Sequence, residues 1–410
     1  MRKLKRLAST LAAAALISGT AVSIHAKGDP APVARTVDAK PLSKNVARGL
    51  DWLARHQLKN GAWGQGDEAA SMGQTGDMRD VPSVADTSMA VLAYLRAGHT
   101  ASRGEYKDNV RRGLEYVMSE IESSDKDSLY VTQTRGTRVQ GKIGTYVDTF
   151  TALLVLTEAK GTMPDQDANS RLGKALAKVL SKIEKNQQKD GTWANQGWAP
   201  VLTQSVAAKG LNRAVQSGEK VDENTIKRVE DQAHANFDAR SGAFAPSANA
   251  GVDLYSTAAG TSALSDSANT RQMQAAPLQE KVKEAKTEAE RAKYAAELRD
   301  GQRTQASAES AQKALIGRVQ DPGFIRGFGS NGGEEFLSYM LMSEALAAKG
   351  GAEWKKWDDA ITQLVDGVQN QDGSWTGHHC ITGRTFCTAA AMLVLMADRA
   401  PLPIAGKLKG

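Results

Sequence analysis

The sequence predicts an all-α protein of the α6/α6 toroid class, a closed ring of paired helices with one long charged helical insertion. From about residue 42 to residue 400, apolar residues recur at intervals of three and four, and Gly or Pro marks the segment ends. Segments with one charged face alternate with segments in which small and apolar residues cover nearly the whole helix surface. Helices of the second kind are expected to be buried, so the alternation predicts an inner and an outer layer.

The predicted helices form six pairs, each with one polar outer helix and one apolar inner helix. Parallel inner helices, with the outer helices returning antiparallel, would close the ring. The outer helices are predicted at about 43–57, 106–122, 168–187, 222–237, 275–318 and 353–370. The inner helices are predicted at about 84–97, 145–160, 199–216, 251–266, 334–348 and 383–398.

Residues 1–26 have the pattern of a secretory signal peptide. Four Lys and Arg side chains lie within the first six residues, an apolar run covers Leu11–Val22, and small residues precede a cleavage point after Ala26. The run is short for a membrane span, and an uncleaved anchor is the alternative. The remaining chain is predicted to divide into a flexible leader, a toroid domain and a tail, at 27–42, 43–400 and 401–410.

The charge of the chain argues against a nucleic-acid partner. The net charge is +6, and the four basic residues of the predicted signal peptide supply most of it. A mature protein close to neutral has no reason to bind nucleic acid. No later apolar run approaches the length of a transmembrane helix, so no stable membrane span is expected after cleavage. We therefore expect an exported protein, periplasmic or extracellular.

The chain has two cysteines, Cys380 and Cys387. In an oxidising compartment two cysteines usually pair, so a disulfide is predicted. Two free thiols are the alternative.

The segment 268–318 differs from its neighbours because opposite charges recur there at helical spacing among many alanines. Such pairs stabilise an exposed helix, so an elongated outer helix or a projecting helical hairpin is expected. A solvated face without a partner is one interpretation, and a docking arm for another protein is the other.

One short pattern occurs three times, each time after a polar helix. Its members are Gln57, Gly61 and Trp63, then Gln187, Gly191 and Trp193, then Gln369, Gly373 and Trp375. Gly suits a left-handed residue at a helix end, and the Gln amide is expected to satisfy backbone groups at a neighbouring helix end. The Trp ring is expected to cover the junction between adjacent pairs. The motif is therefore predicted to join one pair to the next.

This pattern resembles the QW motif of squalene and hopene cyclases and of prenyltransferase β subunits, the prenyltransferase/squalene oxidase repeat proteins. The resemblance extends to the inner-helix starts at Asp86, Asp148 and Phe386, and covers most of residues 43–400. It implies a terpenoid cyclase-like toroid. It says little about activity, because one fold hosts many functions.

The catalytic signatures of that family are absent from the sequence. There is no Asp-x-Asp-Asp acid, and Asp358-Asp359 is predicted to be a surface pair. The Asp-x-Cys zinc pattern of prenyltransferases is missing, so His378-His379-Cys380 is interpreted as a loop and neither a metal nor another cofactor is expected. The thioester motif Gly-Cys-Gly-Glu-Gln is missing too.

The face where the inner helices begin, here called the mouth, is the predicted binding site. The N-termini of the inner helices are expected to converge there. The alternative interpretation is that the carboxylates cap helices and that the aromatic residues pack in the core. The glycine-rich segment Gly323–Gly333 is predicted to be a lid or a flexible connector. The candidate binding residues are Asp86, Tyr146, Asp148, Trp198, Gln204, Asp253, Tyr255, Glu334, Glu335, Tyr339, His378, His379 and Arg384.

Three functions are compatible with these observations. The favoured one is a non-catalytic exported toroid with a binding or structural role, whose ligand at the mouth is lipid-like, a glycan or a protein. The second is an exported hydrolase or lyase acting on an envelope or extracellular polysaccharide. The third is a divergent isoprenoid cyclase or transferase. Whether the protein is an enzyme stays open at this point.

Overall fold

The computed structural model describes residues 37–69, 76–194, 196–329 and 331–401. The predicted signal peptide, most of the predicted leader and nearly all of the predicted tail lie outside these residues. The described chain is predominantly helical, which confirms the all-α prediction. Two short strands, β1 (Phe237–Asp238) and β2 (Ala243–Phe244), pair antiparallel.

The helices begin and end within a few residues of the predicted positions, except between 251 and 318. Two further short helices lie in the connections. The helices are α1 (Lys44–Arg55), α2 (Val84–Arg96), α3 (Lys107–Ser123), α4 (Arg138–Ile143), α5 (Val147–Ala159), α6 (Gln166–Asn186), α7 (Val201–Gln216), α8 (Glu223–Ala235), α9 (Asp253–Glu284), α10 (Glu288–Arg318), α11 (Pro322–Ile325), α12 (Gly333–Lys349), α13 (Gly351–Gly367) and α14 (Arg384–Leu395).

Six helices, here called the buried helices, are buried along most of their length: α2, α5, α7, the first half of α9, α12 and α14. Some of their hydroxyl groups donate to the backbone of their own helix. In α5, Thr151 and Thr157 donate to the carbonyls four residues earlier at 2.8 and 2.7 Å. The longer remaining helices bury one face. Among the described residues, no helix combines the length and apolar character needed to cross a membrane.

The buried helices contact one another in chain order. α2 packs on α5, α5 on α7, α7 on α9, α9 on α12 and α12 on α14. α14 also packs on α2, so the first and last buried helices are neighbours. Small residues allow close approach, since a Cβ added to Gly210 of α7 would lie only 2.9 Å from Cδ2 of Leu153 in α5.

The segment 268–318 does not follow the predicted boundaries. α9 continues through Pro277 to Glu284, so the predicted break between an inner and an outer helix was wrong. The apolar periodicity is lost in the second half of α9 because this half lies outside the core and packs along α10. Thr287 caps α10 by accepting a 3.2 Å hydrogen bond from the Glu290 amide, and the segment forms a helical hairpin.

The three repeated motifs have the same hydrogen-bond geometry. Each Gln amide donates to the carbonyl of its own motif Gly and to a carbonyl in the first turn of another helix. Each Gln carbonyl oxygen accepts from an Arg side chain of that second helix. The second acceptors are Asn109 of α3 at 2.9 Å, Thr225 of α8 at 3.2 Å and Asn45 of α1 at 2.8 Å. The donors are Arg112, Arg228 and Arg48.

The Gly and Trp of each motif complete the junction. All three glycines have positive φ, and a Cβ on any of them would come within 2.6 Å of a backbone carbonyl oxygen. Each indole N–H donates to a carbonyl in the preceding helix, at 2.8 Å for Trp63, 2.9 Å for Trp193 and 2.8 Å for Trp375. The motifs thus join α1 to α3, α6 to α8 and α13 to α1.

The two cysteines are buried free thiols, so the predicted disulfide between Cys380 and Cys387 is not formed in this structure. Cys380 has a φ of 54° within its loop. The Cys387 thiol donates to the Ile381 carbonyl at 3.4 Å. The loop therefore gives Cys387 a backbone partner in place of a second sulfur.

Candidate functional site

The N-terminal ends of the buried helices are tied to one another around the mouth. Each end bonds to the next helix or to the segment that leads into it. The contacts are Ala85 N to Asp148 Oδ1 at 2.9 Å, Thr145 N to Gln196 O at 2.9 Å, Val201 N to Ala248 O at 3.0 Å, Tyr255 Oη to Glu335 Oε1 at 2.6 Å, Ile381 N to Glu334 Oε2 at 3.1 Å and Thr385 N to Gln65 O at 3.2 Å.

Glu335 is the centre of the best-defined polar cluster at the mouth. The side chain is fully buried. Its Oε1 accepts from the Tyr255 hydroxyl at 2.6 Å and from the Phe328 amide at 3.1 Å. Its Oε2 accepts from the Gly332 amide at 2.8 Å and lies 3.2 Å from His379 Nε2. Burial and the charge of Glu335 raise the pKa of Tyr255 above its ordinary value, so the phenol stays protonated and donates.

Glu334 lies beside Glu335 and is also fully buried. Its Oε2 accepts from the Ile381 amide at 3.1 Å, whereas Oε1 has no hydrogen-bond partner among the described residues. Burial, and then the charge of Glu335, raise the pKa of Glu334 to about 8. Arg138 interacts electrostatically with Glu334, but its guanidinium binds Glu68 at 2.7 Å. Adjacent buried carboxylates with an orphaned oxygen mark a candidate site.

Asp148 is a buried carboxylate with a clear structural role. Its Oδ1 accepts from the Ala85 amide at 2.9 Å and its Oδ2 from the Gln140 side chain at 2.7 Å. Burial raises its pKa above the ordinary value. Asp148 therefore caps the start of the neighbouring helix α2 rather than that of its own helix.

Asp86 has no comparable partners. The Ser83 hydroxyl caps α2 by accepting from the Asp86 amide at 3.2 Å. Both Asp86 carboxylate oxygens are buried and lack a hydrogen bond among the described residues. Ser83 and the Phe386 amide lie close enough to lower the pKa of Asp86 without reaching hydrogen-bond geometry. Burial outweighs them and, with the charge of Asp148, raises that pKa to about 7.

Replacing Asp86 with Asn is expected to stabilise the protein by up to roughly 4 kcal/mol at neutral pH. In the folded protein the pKa is raised from 3.8 to about 7. The unfolded chain therefore releases its proton first, and stability falls as pH rises between those values. Asn does not titrate, so its advantage should be absent below pH 4 and complete above about pH 7. Urea unfolding across this range measures the difference.

The matched control for this prediction is Asp167→Asn, in the exposed first turn of α6. Its effect on the free energy of unfolding should be small, because the side chain is exposed. A difference between the Asp86→Asn variant and the unsubstituted protein that stays constant from acid to neutral pH would contradict the buried, unpaired state of Asp86.

An aromatic edge borders the Glu335 cluster. The Phe328 side chain is 55% exposed and packs against Trp198 at 5.0 Å and His379 at 5.2 Å between ring centroids. Trp198 in turn meets the buried Tyr255 edge-on at 6.0 Å. Lys142 Nζ lies 5.6 Å from the Trp198 ring centroid. The edge therefore offers apolar ring surface to solvent directly beside buried acidic groups.

A cleft of about 470 Å³ opens between the start of α9 and the segment 321–328. Arg318 forms an ion pair with Asp253 on its wall, and the guanidinium lies 4.1 Å from the ring centroid of Phe324. Phe328 lines the same cleft. The volume is in the range of small-molecule sites. A groove of about 830 Å³ along α9, α10 and α12 is larger, but none of the predicted binding residues lines it.

The other predicted residues have separate partners. Gln204 donates to the Trp193 carbonyl at 3.1 Å, and Arg384 binds Asp372 at 2.6 Å, so both serve the motif loops. Tyr146 packs on Tyr130 with 4.9 Å between centroids. The Tyr339 hydroxyl donates to the Ile325 carbonyl at 2.6 Å, and exposed His378 is tied through its amide to the Asn331 carbonyl at 2.9 Å.

The structure therefore brings together Trp198, Tyr255, Glu334, Glu335 and His379, and it places Asp86 near Asp148. Sequence reasoning singled out the segment that contains Phe324 and Phe328 but missed Arg138, Glu68 and Arg318. Arg318 lies 65 positions from Asp253, and only the fold of the α9–α10 hairpin makes them neighbours. No local pattern in the sequence signals such a pair.

A second buried polar cluster lies toward the opposite ends of the buried helices. Arg96 binds Glu158 at 2.6 Å and Glu344 at 2.9 Å. Lys209 binds Glu344 and Asp266, both at 2.9 Å. The cavity beside them is about 20 Å³, room for a single water molecule. Ion pairs therefore occupy the space between α2, α5, α7, α9 and α12.

Comparison with known proteins does not identify the chain. No protein-family model matches it, and a search of curated proteins found no match.

Proposed function

We propose that this protein is an exported, non-catalytic α6/α6 toroid that binds a glycan at its mouth. The observation that carries the proposal is Phe328, an aromatic side chain that is 55% exposed on the wall of a cleft of about 470 Å³. Phe328 is informative because it lines a concave site, and ligand pockets are typically lined by aromatic and apolar side chains with a few polar groups.

Three features support a toroid. The buried helices contact one another in order, and α14 contacts α2. Their N-terminal ends are joined around one mouth. The repeated motif that resembles the QW motif joins α1 to α3, α6 to α8 and α13 to α1 through equivalent hydrogen bonds. Export is proposed from the signal-peptide pattern of residues 1–26, which lie outside the described residues.

A glycan fits the cleft better than a lipid does. A lipid chain would need an apolar channel between the buried helices, where the structure has the ion pairs of Arg96, Lys209 and Glu344. A sugar instead combines an apolar face with hydroxyl groups. Phe328 supplies a ring for that face, and Asp253 with Arg318 supplies polar groups in the same cleft.

The burial of the acidic residues supports binding rather than polymer cleavage. The hydrolase or lyase hypothesis relies on Asp86, Asp148, Glu335 and Tyr255 reaching the polymer. Each of these side chains is at most 3% exposed. A bulky substrate could not touch them without a large rearrangement of the mouth.

Replacing Phe328 with Ala is expected to weaken glycan binding about tenfold, because the stacking surface is lost while the fold is kept. Native mass spectrometry of the protein from an envelope extract would first identify a retained ligand. Binding to peptidoglycan fragments and extracellular polysaccharide oligomers would then be measured by calorimetry.

The matched control is Leu42→Ala, which removes another exposed apolar side chain, 37% exposed and distant in sequence from the cleft. Glycan binding should be unchanged in this variant. A retained lipid, equal binding by both variants, or turnover of any oligomer that depends on a mouth residue would count against the proposal.

A further inference from the structure

Three side chains with metal-ligating groups meet at the mouth from two parts of the chain. Glu334 and Glu335 lie in the first turn of α12, and His379 lies in the loop before α14. One oxygen of each carboxylate and one ring nitrogen of His379 all lie within 4.8 Å of one another. We propose that these three residues bind one divalent cation of the zinc class.

The spacing is close to that of an occupied site. Ligand atoms at about 2.0–2.2 Å from a tetrahedral zinc ion are about 3.4 Å from one another. His379 Nε2 and Glu335 Oε2 are 3.2 Å apart. One oxygen of Glu334 lies within 4.8 Å of a ligand atom of each of the other two residues, so a side-chain rotation of Glu334 would complete the site.

Glu334 provides an independent indication of a missing ligand. Its side chain has no exposed surface, and its Oε1 has no hydrogen-bond partner among the described residues. Its Oε2 is held by the Ile381 amide at 3.1 Å. A buried carboxylate oxygen without a partner is costly, and a cation between Glu334 and Glu335 would supply one.

The surroundings of Glu335 resemble the second layer of a metal site. Tyr255 and the Phe328 amide hold its Oε1, which orients Oε2 toward His379. Outer partners of this kind fix ligating carboxylates in metalloproteins. Arg138 is the positively charged side chain that competes with a metal ion for Glu334. It interacts with Glu334 electrostatically, but its guanidinium lies 2.7 Å from Glu68.

The ligand types indicate the class of ion. Calcium and magnesium prefer sites made wholly of oxygen atoms, whereas an imidazole together with carboxylates suits zinc and its neighbours. Two carboxylates and a neutral imidazole also balance a divalent charge. Three protein ligands leave a position for water or for a group of a bound molecule.

Zinc binding is tested with the metal alone, on full-length protein stripped by a chelator and dialysed. Calorimetry with Zn²⁺ should give one site per chain, and Co²⁺ should give the visible absorption of a four- or five-coordinate site. His379→Ala should weaken Zn²⁺ binding at least roughly tenfold. Glu334→Gln, which keeps the shape of the side chain, should do the same.

Two controls make the result decisive. His378→Ala removes the exposed adjacent histidine, and Asp148→Asn alters another buried carboxylate at the mouth; both should bind Zn²⁺ normally. Circular dichroism checks the fold of every variant, and His379 is only partly buried, so its loss should be tolerated. Absence of a stoichiometric site, or equal binding by His378→Ala and His379→Ala, would overturn the inference.

The outcome is separable from that of the glycan proposal. Zn²⁺ binding without any glycan affinity would overturn the proposed function alone. Glycan binding that depends on Phe328, in a protein that takes up no Zn²⁺, would overturn the metal site alone.

Discussion

Replacing Glu344 with Ala is expected to lower the free energy of unfolding by about 3–5 kcal/mol, because it leaves buried cations without their shared partner. Glu344 Oε1 lies 2.9 Å from Arg96 and Oε2 lies 2.9 Å from Lys209, with Arg213 at 3.9 Å. All four side chains are at most 7% exposed. A single water molecule beside the cluster cannot balance the charge of the lost carboxylate, so the penalty is a poorly solvated positive charge.

The same cluster predicts a response to acid. Burial alone would raise the pKa of Glu344, but Arg96, Lys209 and Arg213 reverse that effect and hold it well below its ordinary value. A depressed carboxyl pKa contributes stability above the unfolded value of 4.5, and this contribution is lost as pH falls toward the folded pKa. The difference in the free energy of unfolding between the unsubstituted protein and the Glu344→Ala variant should therefore become smaller in acid.

Urea unfolding at neutral and acid pH measures both effects. The matched control is Glu122→Ala, which breaks a 2.7 Å ion pair with Arg171 whose side chains are 44% and 39% exposed. Exposed pairs contribute about 0–1 kcal/mol, so this variant should differ little from the unsubstituted protein. Similar costs for both variants would show that the cluster around Glu344 is hydrated rather than buried.

The helices could be predicted from the sequence because amphipathic periodicity is local. α6 alternates Leu172, Leu176 and Ile183 with charged residues, and its ends lie close to the predicted ones. The same reasoning gave wrong boundaries for α9. Its charged second half is stabilised by packing on α10, a contact that periodicity does not encode, and the break predicted between residues 266 and 275 does not exist.

The site could be predicted only in part, for the same reason. Placing Tyr255, Glu334 and Glu335 at helix starts was enough to locate them at the mouth. Their mutual contacts depend on tertiary structure, since Tyr255 and Glu335 are 80 positions apart. The ion pair between Arg96 and Glu344 spans 248 positions and had no signal in the sequence.

Replacing Trp375 with Ala is expected to cost about 3–5 kcal/mol of the free energy of unfolding, the range for a large buried aromatic side chain. The ring is fully buried, and its N–H donates to the Val365 carbonyl at 2.8 Å. A Cβ on Gly49 of α1 would lie 3.0 Å from this ring, so the indole packs directly against the first helix. Loss of the ring therefore loosens the contact between the two ends of the folded chain.

Limited proteolysis, alongside urea unfolding, distinguishes this role from general core loss. α1 should become cleavable in the Trp375→Ala variant before the middle of the chain does, because the third motif is what joins α13 to α1. Trp193→Ala, whose ring is 3% exposed and whose motif joins α6 to α8, is the matched control and should leave α1 protected. The same cleavage pattern in both variants would mean that the motifs act through bulk packing rather than by linking particular helices.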